Sequence, residues 1–386
     1  MKILVVHNAY YYRGGEDTVV DAEVALLRSK GHQVVIYSRD NKEIDEISSV
    51  RLAIATINSN KTKFDIASIE AEFKPDIIHA HNIFPLISPS LYKVAQDLHI
   101  PIVQTLHNFR LLCPQAMLFR KGKACEACIG KIPWRASLYR CYRNSFAQSS
   151  FTALVLTTHR LLGTWNKSVS QYIVLSQAAK NKFIQGGMPI QLLSIKSNFV
   201  ESTRSPNWNQ RQGGIFIGRL SVEKGLDVLA RAVALLDKIN IDVYGTGPLE
   251  LIVKSTQGLT SYGFQPQSVL LNRLHQVSYL VMPSTGIESF GLVAIEAFSC
   301  GTPVIASRHG SLTEIVKHGE TGLLVEPGDH QALAKAIHWA ENNPESMKKM
   351  GQAAYENYLV RYTPESNYKI LMQIYSETIN KHQMKN

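Results

Sequence analysis

Short apolar runs alternate with stretches of helical periodicity along the first 200 residues. Lys2-Ile3-Leu4-Val5-Val6-His7 is the kind of run that fills a strand buried on both faces. From Asp17 to Lys30 the apolar positions Val20, Val24, Leu26 and Leu27 follow a helical period, and Gly31 can end that helix. Val34–Tyr37, Ile77–Ala80, Ile102–Leu106 and Tyr172–Leu175 are further strand candidates, with Ser194–Val200 as the last element before a break. Such alternation predicts an α/β domain over residues 1–200. Its sheet would be doubly wound, with ligands at the carboxyl ends of the strands.

Glu201–Gly213 is polar, with one proline and one apolar residue, and is expected to be a linker. The pattern then restarts. Gly214–Gly218, Ile241–Tyr244, Ser261–Phe264, Tyr279–Met282 and Val304–Ala306 are strand-like, and Pro283–Pro303 combines a Pro- and Gly-containing loop with a helical pattern. A second Rossmann-like domain is therefore expected over 214–365. The chain from His330 onward is helical in pattern, ending in a last helix over 366–386.

With 386 residues, 45% of them hydrophobic, the chain is long enough for two cores. No apolar run approaches the roughly 20 residues of a membrane span. The run at Ile3–Val6 is too short for a signal-peptide core and lacks a small-residue cleavage site after it, so a cytoplasmic protein is expected. The net charge of +10 is confined to one half: residues 1–200 carry 24 Lys and Arg against 14 Asp and Glu, and the remainder is balanced. Eight basic residues but only Glu126 as acid lie from Arg110 to Arg143. A face of this kind suits an anionic membrane surface, a lipid-diphosphate acceptor or nucleic acid, unless it is simply solvated.

Cys113, Cys125, Cys128 and Cys141 fall in the same basic stretch as C-x11-C-x2-C-x12-C. This is close to structural zinc spacing, and disulfides are unusual in a cytoplasmic protein. The expectation is a tetrahedral zinc pinning an insertion at about 110–145, with reduced, unliganded thiols as the alternative.

Candidate chemistry concentrates at strand ends. Gly14-Gly15 follows the first strand without matching G-x-G-x-x-G, which removes a nicotinamide fingerprint but still allows backbone to lie against a phosphate or sugar. Tyr10, Tyr11 and Tyr12 in that loop can line an acceptor site or simply pack together. His79, His81 and His107 end two strands with polar clusters. In the second half Arg219 and Lys224 precede a helix, where two cations and a helix N-terminus can converge on a diphosphate. Glu288 and Glu296 are eight residues apart; on or at the start of one helix they would be about 12 Å apart along its axis, with Glu288 expected in the loop. The backbone of Phe290, Gly291 and Leu292 would offer unpaired N–H groups, with Gly291 letting an anion approach.

The wording E-S-F-G-L-V-A-I-E-A-F-S-C-G-T-P-V-I-A, together with G-R-L-S-V-E-K-G, resembles the signatures of retaining glycosyltransferases of family 4. His318-Gly319-Glu320-Thr321-Gly322-Leu323-Leu324-Val325 resembles a further segment of that family, and the Gly14-Gly15 turn resembles its glycine-rich loop. The resemblance spans essentially the whole chain. It implies the GT-B fold, two Rossmann-like domains facing a cleft, with the last helix crossing back to the first domain. It places Arg219 and Lys224 on the donor diphosphate and Glu296 on the ribose hydroxyls. Glu288 and the backbone at Ser289–Leu292, with Gly14 and Gly15, would hold the donor; His107 falls on the histidine that reaches the donor sugar. Family members often have Asp after that histidine, where this chain has Asn108.

The implied reaction moves a hexose-type sugar from a UDP- or GDP-sugar to a saccharide or lipid-linked saccharide, with retention. Fixed cations would stabilise the leaving group, so no catalytic metal is expected. Cell-surface polysaccharide synthesis, with peripheral association at the inner face of the plasma membrane, is the expected setting. A non-hydrolysing sugar-nucleotide epimerase shares the fold and remains an alternative. A nucleic-acid-binding module would use the basic stretch but leaves Arg219, Lys224, Glu288 and Glu296 unexplained, so nucleic acid is not the expected partner.

Overall fold

The computed structural model describes residues 1–202 and 204–384. Thr203, within the expected linker, and residues 385 and 386, within the expected terminal helix, lie outside the described residues.

Two compact units emerge. The first carries strands β1 (Lys2–Ala9), β2 (Gln33–Asp40), β3 (Ile77–Ala80) and β4 (Ile102–Leu106). A short antiparallel hairpin of β5 (Phe119–Arg120) and β6 (Lys123–Ala124) follows in sequence, then β7 (Gln171–Val174) and β8 (Leu193–Ile195) complete the sheet. The spatial order is β2-β1-β3-β4-β7-β8, and every neighbouring pair is parallel. β3, β4 and β7 are buried along their whole length, which is why they read as unbroken apolar runs rather than alternations. Ile3, Val5, Ile77 and Val103 share a core with Val20, Val24 and Leu27 of the helix Gly15–Ser29. Leu371, Ile374 and Tyr375 of the helix Pro364–Gln383 pack in that same core, so residues 367–384 belong to this unit.

The second unit holds β9 (Gly214–Ile217), β10 (Ile241–Tyr244), β11 (Leu259–Gly263), β12 (Tyr279–Met282), β13 (Val304–Ser307) and β14 (Gly322–Val325). Its order is β11-β10-β9-β12-β13-β14, again all parallel. The edge strand β11 alternates in exposure, and it ends before Phe264, which is 71% exposed; the expected strand to Phe264 is therefore shifted towards the N-terminus.

Domain boundaries differ from the expected ones at two places. Met117–Glu126, which includes the β5–β6 hairpin, groups with the second unit rather than with residues 1–200. The unit also begins at Asn198, so the expected linker over 201–213 is not a loose connection. Two side chains tie it down: Trp208 donates from Nε1 to Gly301 O at 3.0 Å, and Arg211 donates to Cys300 O at 2.6 Å and to Thr302 Oγ1 at 2.7 Å. Its polarity serves to satisfy carbonyls at the end of the helix Leu292–Ser299.

Candidate active site

In the second unit, Arg219 and Lys224 flank the turn between β9 and the helix Leu226–Val233. Gly225 sits at φ +72°, and a Cβ there would lie 1.8 Å from Pro283 O. Only glycine allows this turn to close against the loop after β12. The backbone of Glu223 accepts from the N–H groups of Thr285 and Gly286, at 3.0 and 2.9 Å, and fastens the same two loops together.

That fastening brings Lys224 Nζ to 2.7 Å from Glu288 Oε1, and Ser284 Oγ donates to the same oxygen at 2.8 Å. Burial pushes the Glu288 carboxyl up, but the Lys224 charge and the bonds from Lys224 and Ser284 outweigh it, so the group ends below its ordinary range. Glu288 is thus a carboxylate at neutral pH. Arg219 is 62% exposed and 4.0 Å from Glu223 Oε1, leaving its guanidinium at the surface.

The helix Leu292–Ser299 starts after Glu288, which lies in the loop before it, while Glu296 is within the helix. Ser311 holds the loop between them, donating from Oγ to Glu288 O at 3.1 Å and to Phe290 O. Phe290 is buried, edge-on to Tyr362. Gly291 lies at φ +111°, and a Cβ there would meet Leu312 Cδ2 at 3.0 Å. Backbone conformation and apolar packing therefore both require the missing side chain. Glu296 is buried in the helix, and Gln267 Nε2 donates to its Oε1 at 2.7 Å. Burial raises the Glu296 carboxyl from an ordinary 4.5 to about 7, against the Gln267 hydrogen bond.

In the first unit, Gly14 and Gly15 open the helix Gly15–Ser29. A Cβ at Gly14 would meet only Asp17 Oδ2, at 3.9 Å, and Gly14 is extended, so neither strain nor crowding within the chain demands glycine here. Asp17 organises the turn, accepting from Gly14 N at 2.8 Å and pairing with His7 Nε2 at 2.8 Å. Tyr10 OH donates to Glu16 Oε2 at 2.9 Å; Tyr11 and Tyr12 are exposed. Asn108 accepts from Arg110 N at 3.0 Å and donates to Tyr10 OH at 3.3 Å, so it shapes the loop that follows β4. A small concavity there is lined by Glu16, His81, Asn82, His107, Asn108 and Arg110. Burial is the larger cause that lifts Glu16 to about 7.

All five cysteines are thiols. Among the described residues, the set of three His, Cys, Asp or Glu ligand atoms within 4.8 Å of one another is Glu23, His79 and His81; Cys113, Cys125, Cys128 and Cys141 form no such set. Each is fixed by a different local turn. Cys113 N bonds Phe109 O, Cys125 N bonds Leu118 O, and Cys141 N bonds Ala136 O, while Cys128 O accepts from Lys131 N. A structural zinc on Cys113, Cys125, Cys128 and Cys141 stays a proposal, and no step is assigned to a metal there.

Several residues escaped the sequence reading: Ser284, Ser311 and Gln267 around the glutamates, and Glu16, Glu23 and Lys196 in the first unit. A lone lysine in the run Leu193-Ser194-Ile195-Lys196 was the available signal for the last of these.

Comparison with known proteins agrees with this architecture. The description Glycosyltransferase Family 4 matches residues 13–204, and Glycosyl transferases group 1 matches residues 204–357. The chain belongs to the glycosyltransferases that combine these two domains. It is 27% identical to the uncharacterized glycosyltransferase MJ1178 of Methanocaldococcus jannaschii, over 92% of this chain and 93% of that one. It is 28% identical to the sulfoquinovosyl transferase SQD2 of Arabidopsis thaliana over 75% of this chain, spanning only 54% of SQD2. The fold is that of the Anabaena protein Alr3699/HepE, solved in complex with UDP. The TM-score is 0.70 at 19% identity, over 98% of this chain and 100% of that one.

Proposed function

We propose that the protein transfers a hexose-type sugar, with retention of anomeric configuration, from a UDP- or GDP-sugar to a saccharide or lipid-linked saccharide. The observation that carries this reading is the Lys224–Glu288 pair beside the start of the helix Leu292–Ser299. Breaking the anomeric C–O bond leaves negative charge on the diphosphate. Lys224 and Arg219 stabilise that charge as it develops, and the N–H groups at Ser289–Leu292 add to them. A carboxylate at Glu288 holds donor hydroxyls; Glu296 holds the ribose. His107 and Gly14-Gly15 are the candidate ligand contacts of the first unit. The Anabaena protein's complex with UDP supports a nucleotide of this class.

A membrane-associated acceptor is favoured by one surface of the first unit. Ile132, Trp134, Leu138 and Phe146 are about 60% exposed, with Lys131, Arg135, Arg140 and Arg143 exposed among them. Apolar side chains amid cations suit insertion at an anionic lipid interface. No described helix is long and apolar enough to cross a membrane.

The test is thermal stabilisation by UDP, GDP, ADP and their sugar conjugates, since a ligand that binds only the native state raises Tm. Selective stabilisation by one uridine or guanosine nucleotide, lost in Arg219→Ala, is expected. Absence of any response in folded protein would remove the donor assignment.

A further inference from the structure

The peptide group joining Ser284 to Thr285, in the second unit, is gripped at both edges. Its carbonyl oxygen lies 2.6 Å from His309 Nε2, and its N–H, on Thr285, donates to Glu223 O at 3.0 Å. A peptide group is planar, so bonds on opposite edges fix its orientation, and with it the placement of the Ser284 Cα at one end. Thr285 Oγ1 adds a bond to Val222 O at 2.7 Å. Ser284 is only 2% exposed, so a carbonyl deprived of its donor there is poorly compensated by water.

His309 reaches this carbonyl because the turn after β13 lies against the loop that carries Glu288. His309 N donates to Ser307 O at 2.9 Å and bends the chain as the strand ends. Gly310, at φ +58°, lets backbone approach backbone: a Cβ there would stand 3.1 Å from Glu288 O and 3.3 Å from Ile287 Cγ2. Ser311 then holds Glu288 O and Phe290 O. Three consecutive residues of one turn thus bear on the loop from Ser284 to Phe290. The bond to Ser284 also assigns a proton. A carbonyl oxygen only accepts, so His309 Nε2 carries hydrogen; with hydrogen on Nδ1 alone, two lone pairs would face each other at 2.6 Å. Ser284 in turn donates from Oγ to Glu288 Oε1 at 2.8 Å, the oxygen that Lys224 Nζ meets at 2.7 Å. Both bonds end on Oε1, and among the described residues Oε2 accepts none.

We propose that His309 is a positioning residue for Glu288: by donating to Ser284 O it aims the Ser284 hydroxyl at Oε1 and so sets the direction of Oε2. This rests on the assignment of Glu288 to the hydroxyls of the donor, and it deepens that assignment. His309 acts through Ser284 and Glu288, so it governs recognition of the sugar, while Lys224, Arg219 and Glu296 hold the nucleotide without it.

The test sets binding of a nucleotide against binding of its sugar conjugate, by calorimetry on the full chain: UDP against UDP-glucose, UDP-galactose and UDP-N-acetylglucosamine, and GDP against GDP-mannose. In His309→Leu, affinity for the conjugate that binds the wild type is expected to fall about 10- to 30-fold, and affinity for the bare nucleotide less than about threefold. His309→Gln, whose Nε2 can donate where the ring did, should recover most of the loss. Ser284→Ala should lose as much as His309→Leu, and the double variant no more than Ser284→Ala, because both changes act on one carboxylate. Two-bond 15N–1H NMR on histidine-labelled protein, with His309 assigned by the signals that vanish in His309→Gln, should show a protonated Nε2. If His309→Leu does not fold, His309→Asn, whose amide stops short of Ser284 O, takes its place. Equal losses for nucleotide and conjugate, no loss, no recovery in His309→Gln, or a bare Nε2 in the wild type would each overturn the inference. Unchanged conjugate binding in Glu288→Ala would instead overturn the assignment of Glu288 to the sugar, and no binding of any conjugate would remove the donor reading on which both rest.

Discussion

Lys224 Nζ lies 2.7 Å from Glu288 Oε1, joining two loops that are 64 residues apart in sequence. The pair is neither on the open surface nor fully enclosed, with side chains 35% and 15% exposed. A lysine so placed has a partner before any ligand arrives, and a diphosphate beside it would meet a cation already oriented. A preset cation of this kind favours a developing negative charge because little reorganisation is needed when the bond breaks.

Glu288→Gln keeps the shape and removes the charge. Without the carboxylate to orient Lys224 and the donor hydroxyls, kcat/KM for sugar transfer is expected to fall about 10²- to 10³-fold. Folding should be retained, because Gln can still accept from Ser284. Steady-state kinetics on Glu288→Gln and Lys224→Met make the comparison; wild-type kcat/KM in either variant would remove that residue from the site.

Glu296 predicts a pH dependence with two opposite signs. Its folded value of about 7 is above its ordinary 4.5, so the folded state holds the extra proton between those pH values. Stability is therefore expected to decline by about 3 kcal/mol as pH rises from 4.5 to 7. Nucleotide binding should move the other way: a carboxylate is the better partner for ribose hydroxyls, so affinity should weaken about tenfold per unit below pH 7. Calorimetry at pH 5 to 8 checks both. Glu296→Gln should flatten both profiles after the ligand's own phosphate titration is subtracted.

Gly225 has no substitute. Ala at φ +72° is strained, and its Cβ would fall 1.8 Å from Pro283 O, which belongs to backbone and cannot yield without opening the loop. Gly225→Ala is expected to cost on the order of 3 kcal/mol and to displace Lys224 from Glu288. Chemical denaturation measures the first effect, and loss of nucleotide-induced stabilisation measures the second.

Removing the lysine from the Lys196–Glu23 pair leaves a carboxylate fully enclosed. Lys196→Met is expected to destabilise the protein by about 3–5 kcal/mol. The double variant Lys196→Met with Glu23→Gln should recover part of that loss, because no uncompensated charge then remains. Burial raises the Glu23 carboxyl, but Lys196 and then His79 outweigh it, so the net folded value is well below ordinary. Its stabilisation is present above the unfolded value and lost as pH falls through the folded one, so wild type and the double variant should converge in acid.

The exposed face around Trp134 and Leu138 is expected to bind vesicles containing anionic lipid and to release them at high salt. Trp134→Ser with Leu138→Ser should weaken binding about tenfold or more while leaving Tm unchanged. A wild-type protein that stays in the supernatant with such vesicles would leave the basic stretch as solvated surface.

The strands were legible because both sheets are parallel and bury their central members on two faces, which writes Ile77–Ala80 or Tyr279–Met282 as unbroken apolar runs. Arg219, Lys224, Glu288 and Glu296 stand out as candidates because each lies in a local stretch whose residue order is distinctive. The cysteines show where such reading stops. Spacing alone suggests four thiols near one another; among the described residues no three of them have ligand atoms within 4.8 Å of one another. Gly291 was equally ambiguous, since sequence reveals a missing side chain but not that Leu312 stands where it would be.

By itself, the sequence determined two α/β halves, the break near residue 200 and the loops that carry charge, because periodicity and turn chemistry act over neighbouring residues. Tertiary structure alone decided that Lys224 faces Glu288, that Gln267 faces Glu296, and that Lys196, Glu23, His81 and His107 form one chain. Those partners come from different strands and helices, and what pairs them is the cost of burying a charge or an N–H without a partner. That cost depends on the packed interior, which only the folded chain creates.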